Sequence, residues 1–168
     1  MHREKRAKLV AFHVPDDKTL LAAFGEVALR HEHMNYALRM TIKSLAGVTP
    51  DEAVAATKYE SSGQLKERVK VLARKRLGEG APLIKLQAIL GSCGALTEKR
   101  NELVHGLWAT EIDGEAQIRD AHGVPRPLPS VRELHALARE IENLTNRLNL
   151  ERLKGFLYEA LSKNERRV

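Results

Sequence analysis

The sequence predicts an all-α protein, a four- to five-helix up-and-down bundle with a small β-hairpin inserted before the C-terminal helix. Three observations predict it. Apolar residues recur at spacings of three and four through several long stretches, which is the period of a half-buried helix. Leu, Ala, Glu, Lys and Arg are abundant and aromatics make up only 4% of the chain, so the core is aliphatic and the composition favours helix. A single Asp113-Gly114 step stands between two short alternating stretches, which is the signature of a hairpin turn. With 168 residues and no internal repeat or linker, residues 1–168 read as one domain that begins with a basic arm over about 1–15.

Pro15-Asp16-Asp17 marks a helix start, with carboxylates at the positive end of the helix dipole. The apolar stripe Leu20, Phe24, Val27, His31, Met34, Leu38, Ile42 and Leu45 then defines a long first helix ending at Gly47. Thr49-Pro50-Asp51-Glu52 caps a short second helix through Tyr59. Ser61-Ser62-Gly63 breaks the chain. Leu65, Val69, Leu72 and Ala73 mark a third helix stopped by Gly78 and Gly80. Its other face carries Lys66, Arg68, Lys70, Arg74, Lys75 and Arg76, a basic block that suits either solvent or a polyanion.

The fourth helix is expected from near Pro82 to about Trp108, with Gly91 and Gly94 as local weak points or places of close helix approach. Ala109 to Ile112 and Ala116 to Arg119 form the expected hairpin. Gly123 to Pro129 holds too many prolines for helix and reads as an extended connector. Ser130 caps a last long helix with the stripe Leu134, Leu137, Ile141, Leu144 and Leu148, expected to continue to Lys163.

The net charge of +6 favours polyanionic partners and says nothing about fold. The one cysteine, Cys93, excludes an internal disulfide and a zinc site built on several thiolates. The histidines form no clear metal pattern, and His31 and His33 fall on opposite sides of a helix. No metal or cofactor is called for. The charged N-terminal stretch lacks a signal-peptide core, and no apolar run reaches a membrane span, so the expected setting is the cytoplasm with no membrane partner.

Arg100-Asn101-Glu102-Leu103-Val104-His105 is the segment that packing alone does not explain. At about 100° per residue, Leu86, Ile89, Cys93, Leu96, Leu103, Val104 and Leu107 share one side of the fourth helix, with Arg100 near the middle of their stripe. A cation there needs a carboxylate partner or an incoming anion. Arginine's planar fork of donors fits phosphate, and histidine suits proton transfer near neutrality. Arg100 and His105 diverge by roughly 140° on an ideal helix and so flank a cleft rather than touch. Asn101 and His105, four apart, share another face, with Trp108 near it. His31 reads as a satisfied core histidine. Buried polar groups on two helices, His31 and Arg100, suggest a shared polar pocket.

The segment Thr97 to Gly106 resembles the signature of the HEPN superfamily, small all-helical domains of prokaryotic toxins, RNA-processing and defence systems. The pattern is an arginine, four to six residues and a histidine, often with a polar residue after the arginine. The gap here is four and the polar residue is Asn101. The resemblance implies a homodimeric, metal-independent endoribonuclease acting on RNA by attack of its 2′-hydroxyl. His105 would handle protons, Arg100 would stabilise the transition state, and Asn101 would orient His105 or the scissile phosphate. It also implies an antitoxin or a nucleotidyltransferase as a partner, although Leu107 stands where some toxin members carry the tyrosine that such a partner modifies. Two alternatives stay open: a non-catalytic helical dimerisation module held in register by a buried Arg100 ion pair, and a basic nucleic-acid binder without cleavage that uses the block from Lys66 to Arg76.

Overall fold

The computed structural model describes residues 10–12, 14–111, 114–120 and 122–165. Helix α1 (Lys18–Ala46) begins at Asp17, whose carboxylate accepts from the Thr19 and Leu20 amides, and ends at Gly47 in the left-handed conformation. Helix α2 (Pro50–Ala56) carries the expected Thr49–Glu52 capping box but stops short of Tyr59. Ser61 does more than break the chain. It caps α3 (Ser62–Leu77), with Gln64 bonding back to its amide, so Ser62 and Gly63 form the first turn. Helix α4 (Ala81–His105) follows.

The fourth helix is three residues shorter than its periodicity suggests. Leu107 and Trp108 belong to strand β2 (Leu107–Glu111). Gly106 makes the abrupt exit possible: a Cβ there would collide with the Glu102 carbonyl oxygen and the Ile118 side chain. His105 is therefore the last helical residue. Val104 and Leu107, assigned to the apolar stripe, are exposed, and Trp108 lines a different hollow from His105. The Trp108 ring meets Phe24 edge-on, with centroids 5.5 Å apart, an arrangement that suits the aromatic quadrupole. Its Nε1 donates to the Leu103 carbonyl at 2.8 Å.

The hairpin of β2 and β3 (Ala116–Arg119) is present, although Ile112 and Asp113 lie outside the described residues. It is the centre of a larger antiparallel sheet. Strand β1 (Val10–Phe12), from the stretch read as a basic arm, pairs with β2. Strand β4 (Pro125–Pro127), from the proline connector, pairs with β3. Both additions are three-residue edge strands, where proline is tolerated because one side of the ladder needs no donor. Most of the predicted arm, residues 1–9, lies outside the described residues.

The last helix is two. Helix α5 (Val131–Leu153), capped by Ser130 and Glu133, ends at Lys154, and α6 (Phe156–Glu165) restarts after Gly155. A Cβ on Gly155 would clash with Glu151, whose carboxylate accepts from the Phe156 amide and caps the new helix. The turn brings Leu157 and Leu161 back into the core.

Helix α1 packs chiefly on α5 and α3, and α4 packs on α3 and α5. The shared core is aliphatic as expected, with Met34, Leu38, Leu65, Leu86, Ile89, Leu90, Leu134, Ile141, Leu148 and Leu157 fully buried. Partly exposed pairs such as Arg30–Glu142 and His135–Glu26 bridge α1 and α5, and pairs of this kind add little to stability. No described helix is long and apolar enough to cross a membrane.

Candidate functional site

Two helices build the site from residues spaced four apart. On α1, His31, Asn35 and Arg39 form a polar edge beside the apolar stripe. On α4, Thr97, Asn101 and His105 do the same. A side chain every fourth residue stays on one helix face, so each edge makes a continuous wall. The first turn of α3, with Ser61, Ser62 and Gly63, closes a third side. The result is one cavity of about 530 Å³, large enough for a nucleotide-sized ligand.

All three residues singled out in α4, Arg100, Asn101 and His105, line this cavity. Arg100 is half-buried, and His105 is exposed at the last turn of α4. Arg100 has no carboxylate partner among the described residues. Its Nη1 donates to Asn101 Oδ1 at 3.1 Å, and its buried Nε has no acceptor. Arg39, across the cavity, also has a buried Nε with no acceptor. Buried donors are ordinarily satisfied, so two unpaired guanidinium nitrogens on one cavity suit an incoming anion.

The basic block of α3 splits in the structure. Lys66 lines the cavity and crosses α4 at Gly94, where a Cβ would lie 2.9 Å from its Nζ. Gly94 thus admits a side chain rather than a whole helix. Arg68 is held by Glu60 and Lys70 by Glu67, the latter at 2.7 Å. Arg74, Lys75 and Arg76 are exposed near the far end of α3, away from the cavity. Of the block from Lys66 to Arg76 only Lys66 lines the cavity, because α3 presents only its first turns there.

Carboxylates temper the positive charge. Glu32, Glu60 and Glu98 also line the cavity. Glu60 is committed to Arg68, and Glu32 accepts from Asn35 Nδ2 at 3.1 Å. Ser62 Oγ donates to Asn35 Oδ1 at 2.7 Å, so this chain ties α1 to α3 along the cavity wall. Cys93 is a free, buried thiol whose pKa burial pushes up to about 11, which leaves it unreactive near neutrality.

His31 is buried, as a core histidine should be, yet it lines the cavity. Its Nε2 lies 3.2 Å from Thr97 Oγ1. Burial first, and the Arg100 charge second, lower its pKa below the ordinary value, against an opposing pull from Glu32. The polar pocket expected between His31 and Arg100 is present.

A second depression of about 490 Å³ shares Glu98, Asn101 and His105 with the first and adds Glu102, Gly106, Asp120, His122 and Arg126. Asn101 and His105 therefore stand on the ridge between two hollows. Arg39, Thr97, Asn35 and Ser62 were not singled out from the sequence. The four-residue polar spacing on α1 and α4 is the signal that would have found the first three.

Comparison with protein-family models, with curated proteins and with solved structures finds no match.

Proposed function

We propose that the chain is a HEPN-like, metal-independent endoribonuclease of the toxin or defence type, working as a homodimer in the cytoplasm. The observation that carries this reading is the shared cavity: Arg100, Asn101 and His105 open onto one space, beside guanidinium nitrogens that have no acceptor among the described residues. A phosphodiester supplies those acceptors. Arg100, with Arg39 and Lys66 nearby, stabilises the charge that grows on the phosphorane oxygens. Asn101, held by Arg100 through its Oδ1, orients the phosphate or His105. His105 transfers a proton at the exposed end of α4. The two hollows on either side of Asn101 and His105 give a continuing strand somewhere to lie both before and after the scissile bond. In the toxin-type setting, an antitoxin or nucleotidyltransferase partner would act on this unit.

The test is cleavage of single-stranded RNA in EDTA by the purified chain, with end-group analysis. The reading requires 2′,3′-cyclic phosphate and 5′-hydroxyl ends. It also requires a loss of on the order of a hundredfold or more for His105→Ala. Wild-type rates in His105→Ala remove that histidine from the mechanism. RNA that is bound but never cut by the wild type leaves a basic nucleic-acid binder instead.

A further inference from the structure

The cavity has two cationic ends. His31 meets Thr97, with Nε2 3.2 Å from Oγ1. Phe24, about two turns earlier on α1, shares a hollow with Leu103, further along α4. The two helices therefore run antiparallel across the cavity. Arg39 lies about two turns past His31, roughly 12 Å along α1, and His105 lies about as far past Thr97 in the opposite direction. Arg100 and Asn101 belong to the His105 end. Lys66 belongs to the Arg39 end, because it crosses α4 at Gly94, before Thr97. The bond from Ser62 to Asn35 holds the first turn of α3 there as well.

Neither cation at the Arg39 end is paired. Among the described residues Arg39 has no hydrogen bond or ion pair, and only its Nε is enclosed, so both Nη groups stay accessible. Lys66 makes no ion pair among the described residues either, since Glu67 beside it is taken by Lys70 at 2.7 Å. Glu60, the carboxylate on this wall, is taken by Arg68. Glu32 and Glu98, the other carboxylates on the cavity, are exposed. The second hollow differs. Its arginine, Arg126, pairs with Glu102 at 3.2 Å and lies 3.7 Å from Asp120, and Glu98 adds a third carboxylate.

We propose that Arg39 and Lys66 form a second phosphate subsite, which grips another phosphodiester of the RNA strand on the α3 side of the one that is cut. This rests on the ribonuclease reading above. The Arg39 fork offers two accessible Nη groups and Lys66 a mobile ammonium, the donors that suit phosphate oxygens. Their charge adds to the field at the scissile phosphate, but their positions along the cavity fit a different one. The first turn of α3, whose leading amides have no acceptor within the helix, adds its dipole to the same end. No matching pair of free cations stands in the second hollow. The strand is therefore held by its phosphates on one side of the cut and lies loosely on the other.

The test uses a DNA strand with one ribonucleotide, which fixes the scissile phosphate, assayed in EDTA. Each other phosphate is replaced in turn by a neutral methylphosphonate. One linkage on one side of the cut is expected to lower kcat/KM about tenfold, the effect of losing a charge-assisted contact, while linkages on the other side matter little. Arg39→Met should show a similar loss with the normal strand and no further loss with that methylphosphonate. In the wild type and in Arg100→Met, inorganic phosphate should shift the Arg39 Nε resonance saturably, a readout that needs no cleavage. Equal sensitivity on both sides of the cut, sensitivity at no linkage, or full additivity with Arg39→Met overturns the subsite and leaves the ribonuclease reading standing. A wild type that cleaves nothing overturns that reading and the strand as occupant. An Arg39 resonance that phosphate does not move overturns the anion site in either case.

Discussion

Arg100 Nη1 donates to the Oδ1 of its own neighbour Asn101 at 3.1 Å, while its buried Nε has no acceptor among the described residues. An arginine in the middle of an apolar seam is ordinarily tied to a carboxylate. Here the cation is held by a neutral amide and left partly unsatisfied beside a cavity. Its charge is available to a ligand, and its burial is a burden on the fold.

Arg100→Met should therefore separate stability from activity. The methionine keeps the apolar stem and removes an unsatisfied buried donor, whose penalty is about 1–3 kcal/mol. The urea midpoint is expected to stay level or rise. RNA cleavage in the same preparation is expected to fall at least tenfold. A large loss of stability would show that Arg100 holds the bundle together through a buried partner.

Gly94→Ala tests the placement of Lys66. Replacing a mid-helix glycine by alanine favours the helix by up to about 1 kcal/mol. The new methyl would displace the Lys66 ammonium, the flexible end of its side chain. Thermal stability should rise slightly while RNA affinity drops several-fold. Lys66→Met should give the same affinity loss and reduce the slope of log affinity against log salt by roughly 0.7, the value for one phosphate contact on a single strand. Lys75→Met, on the exposed far end of α3, should move the slope less.

The pH dependence of stability carries the mark of His31. Its folded pKa lies below the ordinary value. That ordinary value is about 6.5, so near and below it the unfolded chain binds the extra proton more readily. The stabilisation is fully present above the unfolded value and is lost as pH falls through the folded one. Melting temperatures of the wild type should fall more steeply between about pH 7 and pH 5 than those of His31→Gln. Parallel curves would mean that burial of this ring does not disfavour its charged form.

Ser61→Ala addresses the cavity wall formed by α3. Loss of this N-cap oxygen should lower stability by about 1 kcal/mol in urea unfolding, since Gln64 can still bond the Ser61 amide. An unchanged midpoint would mean that the first turn of α3 is held from α1, through Ser62 and Asn35, rather than by its own cap.

Much of this was legible in the chain. Gly47, Thr49 and Ser130 punctuate the helices where the capping chemistry of their side chains or backbone says they should. The stripe on α1 faces the core as read. The conspicuous Arg100, Asn101 and His105 share one space. The errors share a physical cause: periodicity describes a helix face and not what interrupts it. Leu107 and Trp108 continue the stripe of α4 in sequence, but Gly106 allows a chain reversal that puts them in a sheet. Leu157 and Leu161 extend the last helix on paper, while Gly155 and the Glu151 cap restart it in another direction. Val10–Phe12 and Pro125–Pro127 are too short and too atypical to announce themselves, and become strands only because a hairpin offers them edges.

By itself, the order of residues determined an aliphatic helical bundle, most of its helix ends, and one helix bearing an arginine and a histidine that ordinary packing does not require. Those are consequences of local propensity, capping and the helical period, which act over a few turns of chain. Only the tertiary structure decided that the polar edge of α1 faces that of α4, that Lys66 alone of its block reaches the space between them, and that a buried ring nitrogen of His31 has no hydrogen-bond partner among the described residues. Each of these depends on groups distant in sequence meeting in a dry interior, where a donor or acceptor left without a partner becomes visible.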